Sequence, residues 1–171
     1  MEHIADRAGC RRVIHLACGH AKRITPWSSR FQLVGIDSAR NIKRCKRRLR
    51  LGEWIVADIA TSPLFLESRS GLAESIAVCR EGLSDLPNPE YLLTTLRGLL
   101  EDVPYAVLAT RNRDLTHVRS NSRKSGDAAR WNLEELGHLL ESADLETMFM
   151  GFTVGNSRDL QKNAMVAVVQ K

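Results

Sequence analysis

Short apolar runs alternate along this chain with longer amphipathic stretches, and that alternation leaves few folds open to it. The runs occupy residues 13–16, 32–36, 54–57, 75–78 and 105–109, with 146–152 and 164–169 closing the sequence around a polar loop. Their apolar residues are continuous rather than alternating, which predicts strands covered on both faces. Between them, residues 38–50 place Ile42, Cys45 and Leu49 on one helical stripe with charges elsewhere. Residues 89–101 begin with Pro89 in a first turn and carry Leu92, Leu93, Leu96, Leu99 and Leu100. A third helix, 133–142, follows Asn132, with Glu135 placed as its capping-box partner. Residues 111–127 are polar, basic and without periodicity, so a long loop is expected there. The expected fold is one doubly wound α/β domain over residues 1–171: a mostly parallel sheet with helices on both sides.

Composition narrows the function classes. Hydrophobic residues at 43%, charged residues at 26% and only 5 prolines exclude a largely disordered chain. The longest apolar run, 164–169, falls far short of the ~20 residues a membrane span needs. The start, Met-Glu-His-Ile-Ala-Asp-Arg, has early acids and no apolar block, so no signal peptide, no membrane partner and a cytoplasmic location are expected. Cys10, Cys18, Cys45 and Cys79 stand far apart and read as reduced core thiols. His15, Cys18 and His20 lack a fourth ligand at zinc spacing, and strand alternation separates neighbours, so no metal is expected.

The balance of 25 basic and 20 acidic residues gives +5, which suits an anionic partner but says nothing of fold. Residues 40–50 contain seven bases: Arg40, Lys43, Arg44, Lys46, Arg47, Arg48 and Arg50. Such a run can grip phosphates, yet a solvated outer helix face is the favoured reading, and nucleic acid is not the favoured partner. The basic segment 111–119 is the better functional candidate, because it leaves the carboxyl end of the fifth strand.

In open parallel sheets, ligands bind beyond the carboxyl ends of the strands. The first strand runs into Ala17-Cys18-Gly19-His20, small residues that let backbone amides approach a ligand ahead of an expected helix start. The second ends in Asp37-Ser38, about 20 residues further on, the spacing of a ribose-binding acid; the alternative is that Asp37 merely caps the next helix. The third ends in Asp58, a carboxylate able to accept from an adenine amino group or simply a surface turn residue. The conjunction of small turn, acid and acid at three successive strand ends carries the signal.

These residues sit in motifs with a recognisable look. V-I-H-L-A-C-G-H-A (13–21) resembles the first motif of Rossmann-like, class I S-adenosylmethionine-dependent methyltransferases, usually V-L-D-L-G-C-G-x-G. V-G-I-D-S-A-R (34–40), E-W-I-V-A-D-I (53–59) and C-R-E-G-L-S-D-L-P-N-P (79–89) resemble the motifs that follow. The stretch from Trp131 to the end is similar to the last helix and strand pair, so the resemblance covers nearly the whole chain. It is nearest to small bacterial methyltransferases found beside, or fused to, glycosyltransferases.

The resemblance implies a seven-stranded sheet with an antiparallel last strand, S-adenosylmethionine as cofactor and a small, sugar-bearing or otherwise hydroxylated acceptor. It implies that Ala17, Cys18 and Gly19 lie against the methionine part, with Asp37 and its neighbour Ser38 at the ribose. Asp58 would take the adenine amino group, Ile59 the adenine ring, and Cys79 and Arg80 the region of the sulfonium. The departures are His15 where the family has an acid that fixes the cofactor ammonium, and Ala17 and Ala21 where it has glycine. A neutral His15 can still accept from that ammonium, whereas a protonated one repels it. The family's Glu-His pair is Ser84-Asp85 here, and Asp85 and His117 are the candidate general bases. The acceptor pocket is expected to lack leading roof helices and to be open, shared with a second copy, or supplied by a partner protein. The alternatives are a degenerate methyltransferase fold acting as a binding or scaffold subunit, and a basic nucleic-acid-binding module. The absence of G-x-G-x-x-G argues against a nicotinamide dinucleotide.

Overall fold

A computed structural model describes residues 2–22, 24–66, 68–80, 82–86, 88–116, 131–153 and 164–171. The apolar runs become the strands of one sheet: β1 (Arg12–Leu16), β2 (Gln32–Asp37), β3 (Glu53–Val56), β4 (Ser75–Arg80), β5 (Tyr105–Arg111), β6 (Glu146–Phe152) and β7 (Ala164–Gln170). Their order is β3-β2-β1-β4-β5-β7-β6. β1, β2, β3, β4 and β5 pair in parallel, and β7 runs antiparallel to both of its neighbours. The order reverses beside β1, which has β2 on one edge and β4 on the other.

Alternate side chains of these strands feed two apolar layers, the reason their apolar runs do not alternate with polar residues. On one face Ile14, Leu16, Val34, Ile36, Ala77 and Cys79 pack with Leu92, Leu93 and Leu96 of α4 (Pro89–Leu99) and Leu136 and Leu140 of α6 (Leu133–Ser142). On the other, Val13, Leu33, Ile76 and Val78 pack with Ile42 and Cys45 of α2 (Ala39–Arg48) and with Ala5 of α1 (Glu2–Arg7). Two further α-helices are short, α3 (Gly82–Asp85) and α5 (Arg113–Thr116). No helix among the described residues is long and apolar enough to cross a membrane.

The helix ends follow local chemistry. Asn132 accepts from the Glu135 N–H while the Glu135 carboxylate accepts from the Asn132 N–H, the reciprocal box expected from the sequence. Asn88 caps α4 through the Glu90 N–H, with Pro89 in the first turn, where its missing donor costs nothing.

Four expectations are corrected. The long loop expected over 111–127 starts instead as the end of β5 and the short helix α5, and its residues 117–127 lie outside the described residues. Among the described residues no α-helix stands between β1 and β2; a 3-10 helix, Thr25–Ser29, takes the place, with Pro26 in its first turn. A helix does lead into β1: the six-residue α1, too short to show a period in sequence. β6 is not covered on both faces, since it is the sheet's edge; Met148, Phe149 and Phe152 are 53%, 57% and 48% exposed.

Trp54 on β3 packs against the α2-side layer and donates from Nε1 to the Leu49 carbonyl at 3.0 Å. Its indole covers Gly35 and Gly52, where an added Cβ would overlap ring atoms. The two glycines make the seat that a large side chain needs on an otherwise crowded strand pair.

Candidate functional site

The carboxyl ends of the parallel strands lie along one edge of the sheet, and the turn after β1 sits at its centre. Ala17, Gly19 and Ala21 all have positive φ, at 51°, 61° and 59°. Glycine adopts that conformation freely, whereas alanine is strained in it, so the two alanines hold the left-handed turn at a cost. The turn is pinned from β2: the Cys18 N–H donates to the Ile36 carbonyl at 3.3 Å, and the Gly19 N–H to Asp37 Oδ2 at 2.7 Å. From α2, the Cys45 thiol donates to the Gly19 carbonyl at 3.3 Å, and its sulfur lies 3.9 Å from that of Cys18. Burial raises the pKa of both thiols, and for Cys18 the nearby Cys45 and Asp37 add to it, so both stay protonated and inert.

Asp37 is the hub of this edge. Its Oδ1 accepts from the Ser38 N–H and from Asn41 Nδ2, each at 2.7 Å, while Oδ2 takes Gly19. Its backbone carbonyl accepts the Ala57 N–H at 3.0 Å, which ties the end of β3 to that of β2. Asn41 was not singled out in the sequence; its place one helical turn after the acid, on the same face, is the signal that could have found it. Asp58 is exposed just beyond β3, with Oδ1 taking the Ala60 N–H at 3.2 Å and its carbonyl the Thr61 N–H at 3.1 Å. Asp37 and Asp58 therefore stand at the same ends of adjacent parallel strands.

The remaining sequence candidates are spread around the turn. Ile59 is buried in the layer of α4 and α6. Cys79 pairs in register with Leu16 and is buried in that layer, while Arg80 is exposed at the end of β4. A Cβ on Gly82 would stand 2.6 Å from Cys79 Sγ and 2.9 Å from the Ala17 Cβ, so the start of α3 closes tightly on the turn. This contact too escaped the sequence reading. His15 is 3% exposed, on the α2 face of β1, with its ring edge-on to Trp27 at 6.4 Å. Asp85 is the last residue of α3, beyond β4, and His117 lies outside the described residues.

The far side of the edge is fastened by polar contacts. Ser84 and Thr110 hydroxyls hydrogen-bond in the interior. Arg113 pairs with Glu135 at 2.6 Å and donates its N–H to the Trp131 carbonyl at 2.9 Å, which ties the start of α6 to the end of β5. The Asn132 N–H and Arg113 hold the Glu135 carboxyl below its ordinary pKa. The arrangement can seat a ligand that needs a fixed carboxylate acceptor beside close-approaching backbone.

No family model matches the chain, and no curated protein does. Solved structures do match it in fold. A S-adenosylmethionine-dependent methyltransferase from Methanosarcina mazei superimposes with TM-score 0.70 at 17% identity, over 95% of this chain and 93% of that one. The methyltransferase domain of a bacterial Hen1 gives TM-score 0.73 at 16% identity, over 99% and 95%. The N-methyltransferase NodS from Bradyrhizobium japonicum gives 0.66 at 14% identity, over 99% and 91%. The chain thus has the class I methyltransferase fold, with the seven strands and the antiparallel last strand that the resemblance implies.

Proposed function

We propose that this chain is a S-adenosylmethionine-dependent methyltransferase acting on an oxygen or nitrogen of a small acceptor. The observation that carries the reading is Asp37, fixed at the end of β2 by the Gly19 N–H of the β1 turn, with Asp58 at the neighbouring strand end. A carboxylate offers about four lone-pair sites, and three are taken by Gly19, Ser38 and Asn41, which leaves one for a ribose hydroxyl. The residues present therefore fit the cofactor. The bound cofactor would supply an electrophilic methyl and a neutral thioether leaving group. The protein's part is alignment and exclusion of water. Asp37 and Ser38 would hold the ribose, Asp58 the adenine amino group and Ile59 its ring. Ala17, Cys18, Gly19 and His15 would face the methionine end, and Cys79 and Arg80 the reacting methyl. Asp85 or His117 would take the acceptor's proton.

The likeness to small methyltransferases that accompany glycosyltransferases favours a sugar-bearing acceptor, and the N-methyltransferase among the fold's neighbours keeps nitrogen in view. A cytoplasmic protein, its acceptor site completed by a second copy or a partner protein, belongs to the same proposal. Calorimetric titration with S-adenosylmethionine and S-adenosylhomocysteine at pH 8 tests it. Saturable binding that Asp37→Ala abolishes supports the enzyme. Absence of binding overturns it in favour of a scaffold subunit, a reading favoured by the strained Ala17 and Ala21 in place of glycine.

A further inference from the structure

The charge of α2 is distributed in a way that its own fold does not use. Ile42 and Cys45 are its buried residues, and Arg40, Lys43, Arg44 and Arg47 follow i, i+3, i+4, i+7 spacing on the opposite side, all exposed. Residues 38–52 contain no acid. Among the described residues none of these four cations, nor Lys46, Arg48 or Arg50, is in an ion pair, whereas Arg12, Arg30, Arg69, Arg97 and Arg113 all are. The helix dipole accounts for cations in the last turn, Lys46, Arg47 and Arg48, but disfavours Arg40 at the other end. Like charges at i,i+3 and i,i+4 repel, so the stripe destabilises the helix that carries it. Beside it, His20, Arg44, Arg47 and Arg48 line a recess of about 460 Å³, and Arg48 is drawn into it by a 3.3 Å hydrogen bond to the His20 carbonyl.

We propose that this face of α2, with the recess beside His20, is a binding surface for the phosphate backbone of a nucleic-acid strand. The extent of the stripe decides for a strand over a lone phosphate. From Arg40 to Arg47 the stripe rises seven residues, about 10 Å. A strand carries a charge about every 3.4 Å along its axis, so about three phosphates face the stripe, where a lone phosphate leaves part of it unmatched. The surface is independent of the methyl-transfer reading, since none of these side chains is assigned to the cofactor.

The test is fluorescence anisotropy with a labelled 20-nucleotide single strand of mixed sequence, titrated with sodium chloride. The wild type binds at 50 mM salt, and log K falls linearly with log salt. Arg44→Gln/Arg47→Gln weakens binding about tenfold and reduces the slope by about 1.4, the loss of two phosphate contacts. Arg7→Gln/Arg11→Gln, which makes the same change in net charge on another surface, leaves both unchanged. Melting curves confirm that each variant is folded. The proposal is overturned by no binding at 50 mM salt, by equal loss in the two double variants, or by an unchanged slope. Full displacement of the strand by tripolyphosphate at matched phosphate concentration also overturns it, in favour of a small polyphosphate in the recess.

Discussion

The Asp37 carboxylate accepts the Gly19 backbone N–H at 2.7 Å, so the acid that ends β2 also sets the shape of the turn after β1. The two halves of the candidate site are one hydrogen-bonded unit. A change at either residue is felt at the other.

Asp37→Asn keeps the volume but turns one acceptor oxygen into a donor that faces N–H groups. A hydrogen bond to a charged partner is worth about 1.5–3 kcal/mol. Affinity for S-adenosylmethionine is therefore expected to fall by about 10- to 150-fold, read by calorimetry at pH 8. Unchanged affinity would remove Asp37 from the site.

Ala17→Gly relieves a left-handed alanine at φ 51°. The relief is about 1–2 kcal/mol, against about 0.4–1 kcal/mol of added unfolded-state freedom. The variant is expected to be more stable by about 0.5–1 kcal/mol in urea titration. A destabilised variant would show that the turn does not bear this strain.

Gly35→Ala forces a methyl into the Trp54 ring and towards Cys18 Sγ. Overpacking of this kind costs about 1–3 kcal/mol. Combining it with Trp54→Leu should recover most of that loss relative to Trp54→Leu alone. If the two effects simply add, the residues do not share the space described.

Glu135→Gln removes the charge that meets Arg113 while leaving an oxygen for the Asn132 N–H. The folded carboxyl lies below its ordinary value of 4.5, so its contribution is fully present above that value. It is lost as the pH falls through the lower, folded value. The wild type should exceed the variant in urea midpoint at pH 7 and converge with it towards pH 3. A gap constant across that range would mean that the charge adds nothing.

The parts legible in sequence are those set by local chemistry or by burial on both sides. α6 is found to the residue because Asn132 and Glu135 announce its start. The central strands are found because the residues between their ends form continuous apolar runs. The edge position of β6 was not legible: Met148 and Phe149 look like core in composition, and only the strand order leaves them outside. Nor could the sequence show that a 3-10 helix would stand between β1 and β2, or that α1 would precede β1. At the site, Asp37 and the 17–19 turn were legible from spacing. Asn41 and Gly82 were not, because their roles come from contacts across elements.

The antiparallel insertion of β7 between β5 and β6 has a consequence for biosynthesis. β7 follows both of its neighbours in the chain, yet each depends on it for its pairing along that edge. As the polypeptide leaves the ribosome, β5 and β6 emerge with open hydrogen-bonding edges, and the sheet closes only when residues 164–170 arrive. A chain stopped before that point would expose the β7-facing edge of β5 and leave β6 with no strand to pair with, a fragment prone to stick.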